Sequence, residues 1–193
     1  MRKLIPLFAL LSLAAIVARP AFTEDKPKEE DRGFSVAEGK LTFKAPAGWV
    51  RKKPKSNIIE MEYEIPAAKG NEIAGRLTIM GAGGKIDANV ERWYGQFEQP
   101  DGSNTKDKAK LTKMTVAGQN VHFVDVAGTY KDSPSGPFAG GKTVLRENYR
   151  MLAAIIETKE AGNYFLKFYG PKETVGENEK AFKELVESLV VKK

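Results

Sequence analysis

The sequence predicts an α+β protein, a mostly antiparallel β-sheet packed with helices. Three observations predict it. Stretches of period-two hydrophobicity are joined by short turns, which makes neighbouring strands antiparallel. Only two segments after the N-terminal leader show the 3.6-residue period of an amphipathic helix, one mid-chain and one at the end. The order strands, helix, strands, helix lacks the strand-for-helix alternation of a doubly wound fold.

The N-terminal residues are read first as a leader. Arg2 and Lys3 precede an apolar run from Leu4 to Ala18, broken only by Pro6 and Ser12. That run is shorter than the roughly 20 apolar residues of a membrane span and fits a signal peptide over residues 1–21. Cleavage is expected near residues 18–23, although a cut after Ala21 places Arg19 at the minus-three position. An uncleaved anchor is the structural alternative. A lipoprotein anchor would need a cysteine, and the chain has 0. Residues 22–33, which contain the proline-broken run Glu24 to Arg32, read as a charged disordered spacer. Residues 34–193 are expected to form one domain, exported to a periplasmic or extracellular location.

The elements of that domain follow in order. Leu41 to Ala45 is a short strand ended by Pro46, and Ala47-Gly48-Trp49 turns it into the next. Ile59, Met61, Tyr63 and Ile65 alternate with Glu60, Glu62 and Glu64, a half-buried strand with a carboxylate face toward water. Ile73, Leu77 and Ile79 continue the pattern beyond a turn at Pro66–Asn71. A symmetric hairpin there sets Met61 against Leu77 and Glu62 against Arg76. After Gly81–Gly84 comes a helix, capped by Asp87 or Asn89, with Val90, Trp93, Tyr94 and Phe97 on one stripe. Pro100-Asp101-Gly102 stops it, and a lysine-rich polar loop runs to about Lys110.

A second hairpin spans Leu111 to Val116, a turn at Ala117–Asn120, and Val121 to Tyr130. The loop Lys131–Lys142 is long for a compact domain, and long loops are often functional. Strands Tyr149–Glu157 and Tyr164–Tyr169 come next. Met151–Ile156 is apolar on both faces and is expected at the centre of the sheet. A last helix, from about Glu177 to Val190, buries Phe182, Leu185, Val186 and Leu189.

Charge narrows the partners. The chain carries 31 basic and 25 acidic residues, a formal +6. Arg2, Lys3 and Arg19 lie in the leader, so the mature chain is near +3, which permits but does not require attraction to anionic surfaces. Arg51, Lys52, Lys53 and Lys55 form one basic cluster; Lys106, Lys108, Lys110 and Lys113 form another. Neither interleaves aromatics as a nucleic-acid platform does, and no nucleic-acid partner is expected. A cysteine-free chain has no disulfides, thiol nucleophile or Cys-type zinc site.

Several motifs resemble one superfamily. Leu41-Thr-Phe-Lys-Ala-Pro46-Ala-Gly48-Trp49 is similar to the strand and Pro-x-Gly-Trp turn that opens members of the PsbP-like superfamily. Tyr164-Phe-Leu-Lys-Phe-Tyr-Gly170-Pro171, followed by a helix with Phe182 and Ser188-Leu189, is similar to its close. Asn89-Val-Glu-Arg-Trp93-Tyr-Gly-Gln96-Phe97 and Tyr149–Glu157 resemble a group of uncharacterised exported bacterial proteins. The resemblance implies an α/β/α sandwich, an exported location and a protein-binding habit. It carries over no catalytic residues.

Individual residues offer little chemistry. His122 is the only histidine, has no partner at ligand spacing, and sits with Asp125 on opposite faces of a strand. Ser133 and Ser135 lie in no nucleophile elbow, although a serine–histidine pair closed by tertiary contact stays open. Gly81-Ala-Gly-Gly-Lys85 lacks the Walker spacing, with Ile79 where a glycine is needed. Asp101, Ser103, Thr105 and Asp107 alternate like a calcium loop, but Lys106 replaces its glycine and Thr112 its closing glutamate. No metal or cofactor is implied.

The favoured function is a non-catalytic binding or accessory protein, monomeric, contacting its partner through Phe138 and Lys142 of the long loop. One alternative is an envelope enzyme assembled from Asp125, Arg150 and Lys167 on a sheet face. A second is electrostatic attachment to anionic glycan or lipid.

Overall fold

A computed structural model describes residues 32–54, 56–134 and 142–192. The proposed leader lies outside these residues. Composition placed Arg32 and Gly33 in the spacer, but Gly33 opens strand β1 (Gly33–Val36) and the Arg32 carbonyl accepts from Ala45 N–H at 2.8 Å. β1 pairs with β2 (Leu41–Lys44), and β2 with a C-terminal strand β11 (Val190–Val191), in a small antiparallel sheet.

The large sheet has the order β3-β4-β5-β10-β9-β8-β6, with β7 beside β8. The strands are β3 (Val50–Lys52), β4 (Met61–Ile65), β5 (Gly75–Ala82), β6 (Phe97–Glu98), β7 (Lys110–Val116), β8 (Gln119–Asp132), β9 (Val144–Thr158) and β10 (Gly162–Pro171). Each neighbouring pair is antiparallel, as the short turns predicted. Met151–Ile156 of β9 are all buried between β8 and β10, the central place expected of a strand apolar on both faces.

Helices cover both faces. One face packs β1, β2 and the helix α4 (Glu179–Glu187) onto Leu77, Ile79, Phe123, Leu152, Ala154, Leu166 and Phe168. The other takes helix α1 (Ile86–Tyr94), whose Val90, Trp93 and Tyr94 join Val124, Met151, Ala153, Ile155 and Phe165. The architecture is the α/β/α arrangement of an α+β protein.

Local details depart from expectation for identifiable reasons. Neither Asp87 nor Asn89 caps α1, which starts at Ile86. Asn89 is buried and donates back to the carbonyls of Lys85 and Gly83. Phe97 leaves the helix to pair in β6 with Tyr130. The polar loop contains a single helical turn, α2 (Thr105–Lys108), capped by Asn104 accepting from Lys106 N–H.

The helix expected from about Glu177 is α4, and a short helix that the sequence reading did not foresee precedes it. α3 (Lys172–Glu177) is separated from α4 at Asn178, whose Oδ1 accepts from Trp49 Nε1 at 3.1 Å. Trp49 thus ties the Pro-x-Gly-Trp turn to the helical junction. Val190 belongs to β11 instead of the helix, because β2 offers it an open edge.

Two further expectations are corrected. Met61 lies opposite Ile79 and Tyr63 opposite Leu77, a shift of two residues that keeps every side chain on its face. The loop expected at 131–142 loses its first two residues, because β8 continues through Asp132, and the strand expected from Tyr149 already begins at Val144. The pairing of Lys131 with Leu145 and Asp132 with Val144 makes an arm that runs beyond the end of β10.

Candidate functional site

Strand alternation decides what each face of β10 carries. Tyr164, Leu166 and Phe168 join the α4-side core; Phe165, Lys167 and Tyr169 point to the α1 side. Trp93 sits edge-on over Phe165, with centroids 5.8 Å apart and planes at 85°. α1 ends at Tyr94, so Lys167 and Tyr169 lie past its cover, each half-buried.

Side chains from five strands, and Gln96 just beyond α1, converge there. Lys167 Nζ donates to Gln96 Oε1 at 2.6 Å and to Tyr130 Oη at 3.2 Å. It also lies 5.1 Å from the Tyr130 ring centroid and 4.8 Å from that of Tyr169. Tyr130 packs tilted against Tyr169 at 5.1 Å and 46° and lies parallel to Tyr149 at 6.1 Å and 6°. Arg76 Nη1 donates to Tyr169 Oη at 2.8 Å, while its Nε and Nη2 grip both oxygens of Glu62 at 2.9 Å. Arg146 reaches Asp132 on the arm at 3.3 Å.

The charge on Lys167 is poorly compensated. Its two hydrogen-bond acceptors are neutral, and among the described residues no carboxylate lies within ion-pair distance of it. Two ring faces return about 0.5–2 kcal/mol to an ammonium, whereas burying an unpaired ion costs several. Desolvation therefore wins. Burial first, then the Arg76 charge, push the lysine down to about 7, against a weaker upward pull from Asp132. Burial holds the Tyr130 hydroxyl well above its ordinary range, and those of Tyr169 and Tyr149 upward, so all three stay protonated at neutral pH.

Lys167 does not share a pocket with Asp125 and Arg150, contrary to the trio expected from sequence. Arg150 Nε and Nη2 each donate to Asp125 at 2.8 Å, and Nη2 also to Glu179 of α4 at 2.7 Å. Asp125 stands opposite Leu152, on the α4 face, while Lys167 stands opposite Ala153, on the α1 face. The sheet separates them. Asp125 and Arg150 anchor a helix.

His122 Nε2 lies 3.1 Å from Glu157 Oε1, an ordinary hydrogen bond on the face opposite Asp125. The pair lines a shallow recess of ≈ 300 Å³ with Lys113, Met114, Thr115 and Asn120. Asp101 Oδ1 accepts from the Ser103 amide and hydroxyl, and Thr105 Oγ1 donates to the Phe97 carbonyl, so local bonds occupy these oxygens. Gly81–Lys85 is a strand-to-helix connection. Lys142 is exposed two residues before β9; Phe138 and Ser135 lie outside the described residues.

Sequence reasoning missed Gln96, Tyr130, Tyr149 and Tyr169. One signal was available: Lys167 and Tyr169 are polar-tipped positions of equal parity in an otherwise apolar strand.

The class defined by this fold and site is an α+β sandwich with a half-open patch of tyrosine and basic side chains beside α1. No family model matches the chain, and no curated protein matches it. Solved structures similar to it include the cyanobacterial PsbP, CyanoP, of Synechocystis sp. PCC 6803, at 11% identity over 83% of this chain and 91% of that one, TM-score 0.49. A protein of unknown function from Pseudomonas aeruginosa, PA94, matches at 13% over 83% and 96%, TM-score 0.45. The Ran-binding protein Mog1p of Saccharomyces cerevisiae matches at 10% over 83% and 94%, TM-score 0.44. Likenesses this distant say nothing about residues or activity. No helix among the described residues is long and apolar enough to cross a membrane.

Proposed function

We propose that this chain is an exported, non-catalytic accessory module that binds a protein partner through the face between α1 and the β8–β9 arm. The observation that carries the reading is the cluster of Tyr169, Tyr130 and Tyr149, held in place by Arg76 and Lys167. Tyrosine and arginine are the side chains enriched at binding hot spots. Rings already fixed by neighbours lose little entropy on docking. Export rests on the charged start, the short apolar run and the acidic onset at Glu24. The resemblance to PsbP-like proteins points the same way.

Lys142, exposed two residues before β9, is a rim contact of this surface, and Phe138 is kept as a contact candidate on its sequence alone. The test immobilises the mature chain and compares capture from its native envelope extract with that of Tyr149→Ala and Lys142→Ala, each checked by thermal melting. Loss of one specific band with Tyr149→Ala, at unchanged melting temperature, is the expected result. Equal capture by wild type and Tyr149→Ala overturns the reading. Capture that vanishes with added salt and survives Tyr149→Ala favours anionic glycan or lipid instead.

A further inference from the structure

Lys167 has a property that partner binding does not require. A lysine can be accommodated beside an apolar core by pairing with a carboxylate, as Arg150 does with Asp125 on the other face. Lys167 instead has Gln96 and Tyr130 as acceptors and two ring faces as walls. The groups facing it are Arg76 from β5, with Glu62 of β4 bound behind it, Tyr130 and Asp132 from β8, Tyr149 from β9 and Tyr169 from β10. Arg76 keeps Glu62 occupied, and Arg146 does the same for Asp132. The side chain is nonetheless reachable, because Lys167, Gln96, Arg76 and Tyr169 are each only half-buried.

We propose that Lys167 is a nucleophilic amine that captures small aldehydes, ring-bearing ones above all, as an imine. An uncharged amine is the reactive form, and lysines kept away from counter-ions serve as Schiff-base residues for that reason. The Nζ lone pair forms a bond to the carbonyl carbon, and the C=O π pair moves onto oxygen. That oxygen takes up the proton the nitrogen gives up, with the Tyr130 hydroxyl, 3.2 Å from Nζ, placed to relay it. The carbinolamine then loses hydroxide, which leaves as water with a second proton, and a C=N bond remains. Amine plus aldehyde gives imine plus water, with no oxidant or cofactor. The half-buried ring of Tyr169, 4.8 Å from Nζ, is the one a planar aldehyde can stack on, because Tyr130 is buried and packs against it at 5.1 Å.

The test treats the full chain with benzaldehyde and cyanoborohydride between pH 6 and 10 and maps the reduced benzyl adducts by peptide mass. At pH 7, where about half of Lys167 is uncharged, it should be modified about tenfold faster than exposed Lys142 and Lys180. Its rate should level off above about 7. Butyraldehyde should react with Lys167 more slowly than benzaldehyde does. Modification of Lys167 no faster than of Lys142, or a rate still rising at pH 10, overturns the proposal. Neither outcome bears on partner capture by Tyr149, which is read separately.

Discussion

Glu62 and Arg76 are joined by two 2.9 Å hydrogen bonds although they are not cross-strand partners. The residue opposite Glu62 is Thr78, and the residue opposite Arg76 is Glu64. All four share the α1 face, so Arg76 can choose between two carboxylates. It takes the more buried one and leaves the exposed Glu64 to Lys52 at 3.1 Å. Attraction is stronger where water is excluded, and a planar guanidinium fits a carboxylate in bidentate fashion.

Arg76→Met should destabilise the fold by about 1–3 kcal/mol, because Glu62, 8% exposed, loses its partner. Arg76 itself is 37% exposed, and screening by water keeps the loss below that of a fully buried pair. Urea unfolding measures this. The double variant Glu62→Gln, Arg76→Met should recover part of the loss, since no buried charge is then left alone.

Lys167 should make stability rise with pH. Below about 7 the lysine is protonated in both folded and unfolded chains, and the cost of its buried charge is fully present. Between about 7 and the ordinary lysine value of about 10.4, the unfolded chain binds a proton that the folded chain does not. Stability then climbs by at most roughly 1.4 kcal/mol per pH unit. Above about 10 the raised tyrosines reverse the slope, because they ionise first in the unfolded chain. Lys167→Met should flatten the climb in denaturant titrations run from pH 7 to 10. An unchanged slope would show that the ammonium is better solvated than its surroundings indicate.

Arg150→Met should cost about 2–4 kcal/mol, since Asp125 loses both of its bonds to Arg150 and Glu179 loses one. Lys183 first, then Arg150, hold the Glu179 carboxyl below its ordinary range. Its contribution is present above that range and fades as pH falls through the lowered folded value. Acid unfolding of the variant should therefore be less steep in that interval. Hydrogen exchange should report the loss first in α4.

Two glycines should respond differently to alanine. At Gly128, φ is +151° and an added Cβ would stand 2.5 Å from the Glu98 carbonyl oxygen of β6. Gly128→Ala should cost at least about 2 kcal/mol and open the β6–β8 pairing, visible as lost amide protection near Phe97. At Gly118, φ is +75° and the space is open, so only backbone strain of about 1 kcal/mol is expected. Thermal melts of the two variants would order them.

Much of the fold was legible because it is local. The Val90, Trp93, Tyr94 stripe marked α1, and the double-faced apolarity of Met151–Ile156 marked the centre of the sheet. Turn residues were found where backbone geometry demanded them, as in the pairing of Val116 with Gln119 around Ala117-Gly118. The ends of elements were less legible. Val190 continued a helical pattern until the open edge of β2 drew it into a sheet, and Asp132 read as loop until Val144 paired with it.

Alternation and turn chemistry, which need only near neighbours, were set by the sequence by itself: an α+β chain, its antiparallel pairing and the face on which each strand residue lies. Tertiary structure alone decided which of those faces meet. Asp125, Arg150 and Lys167 looked equivalent as charged strand residues. Register and parity then sent two of them to anchor α4 and left the third among tyrosines of its own strand and of β8. Burial without a counter-ion is a property of that meeting, because desolvation depends on every neighbour in space and on none in sequence.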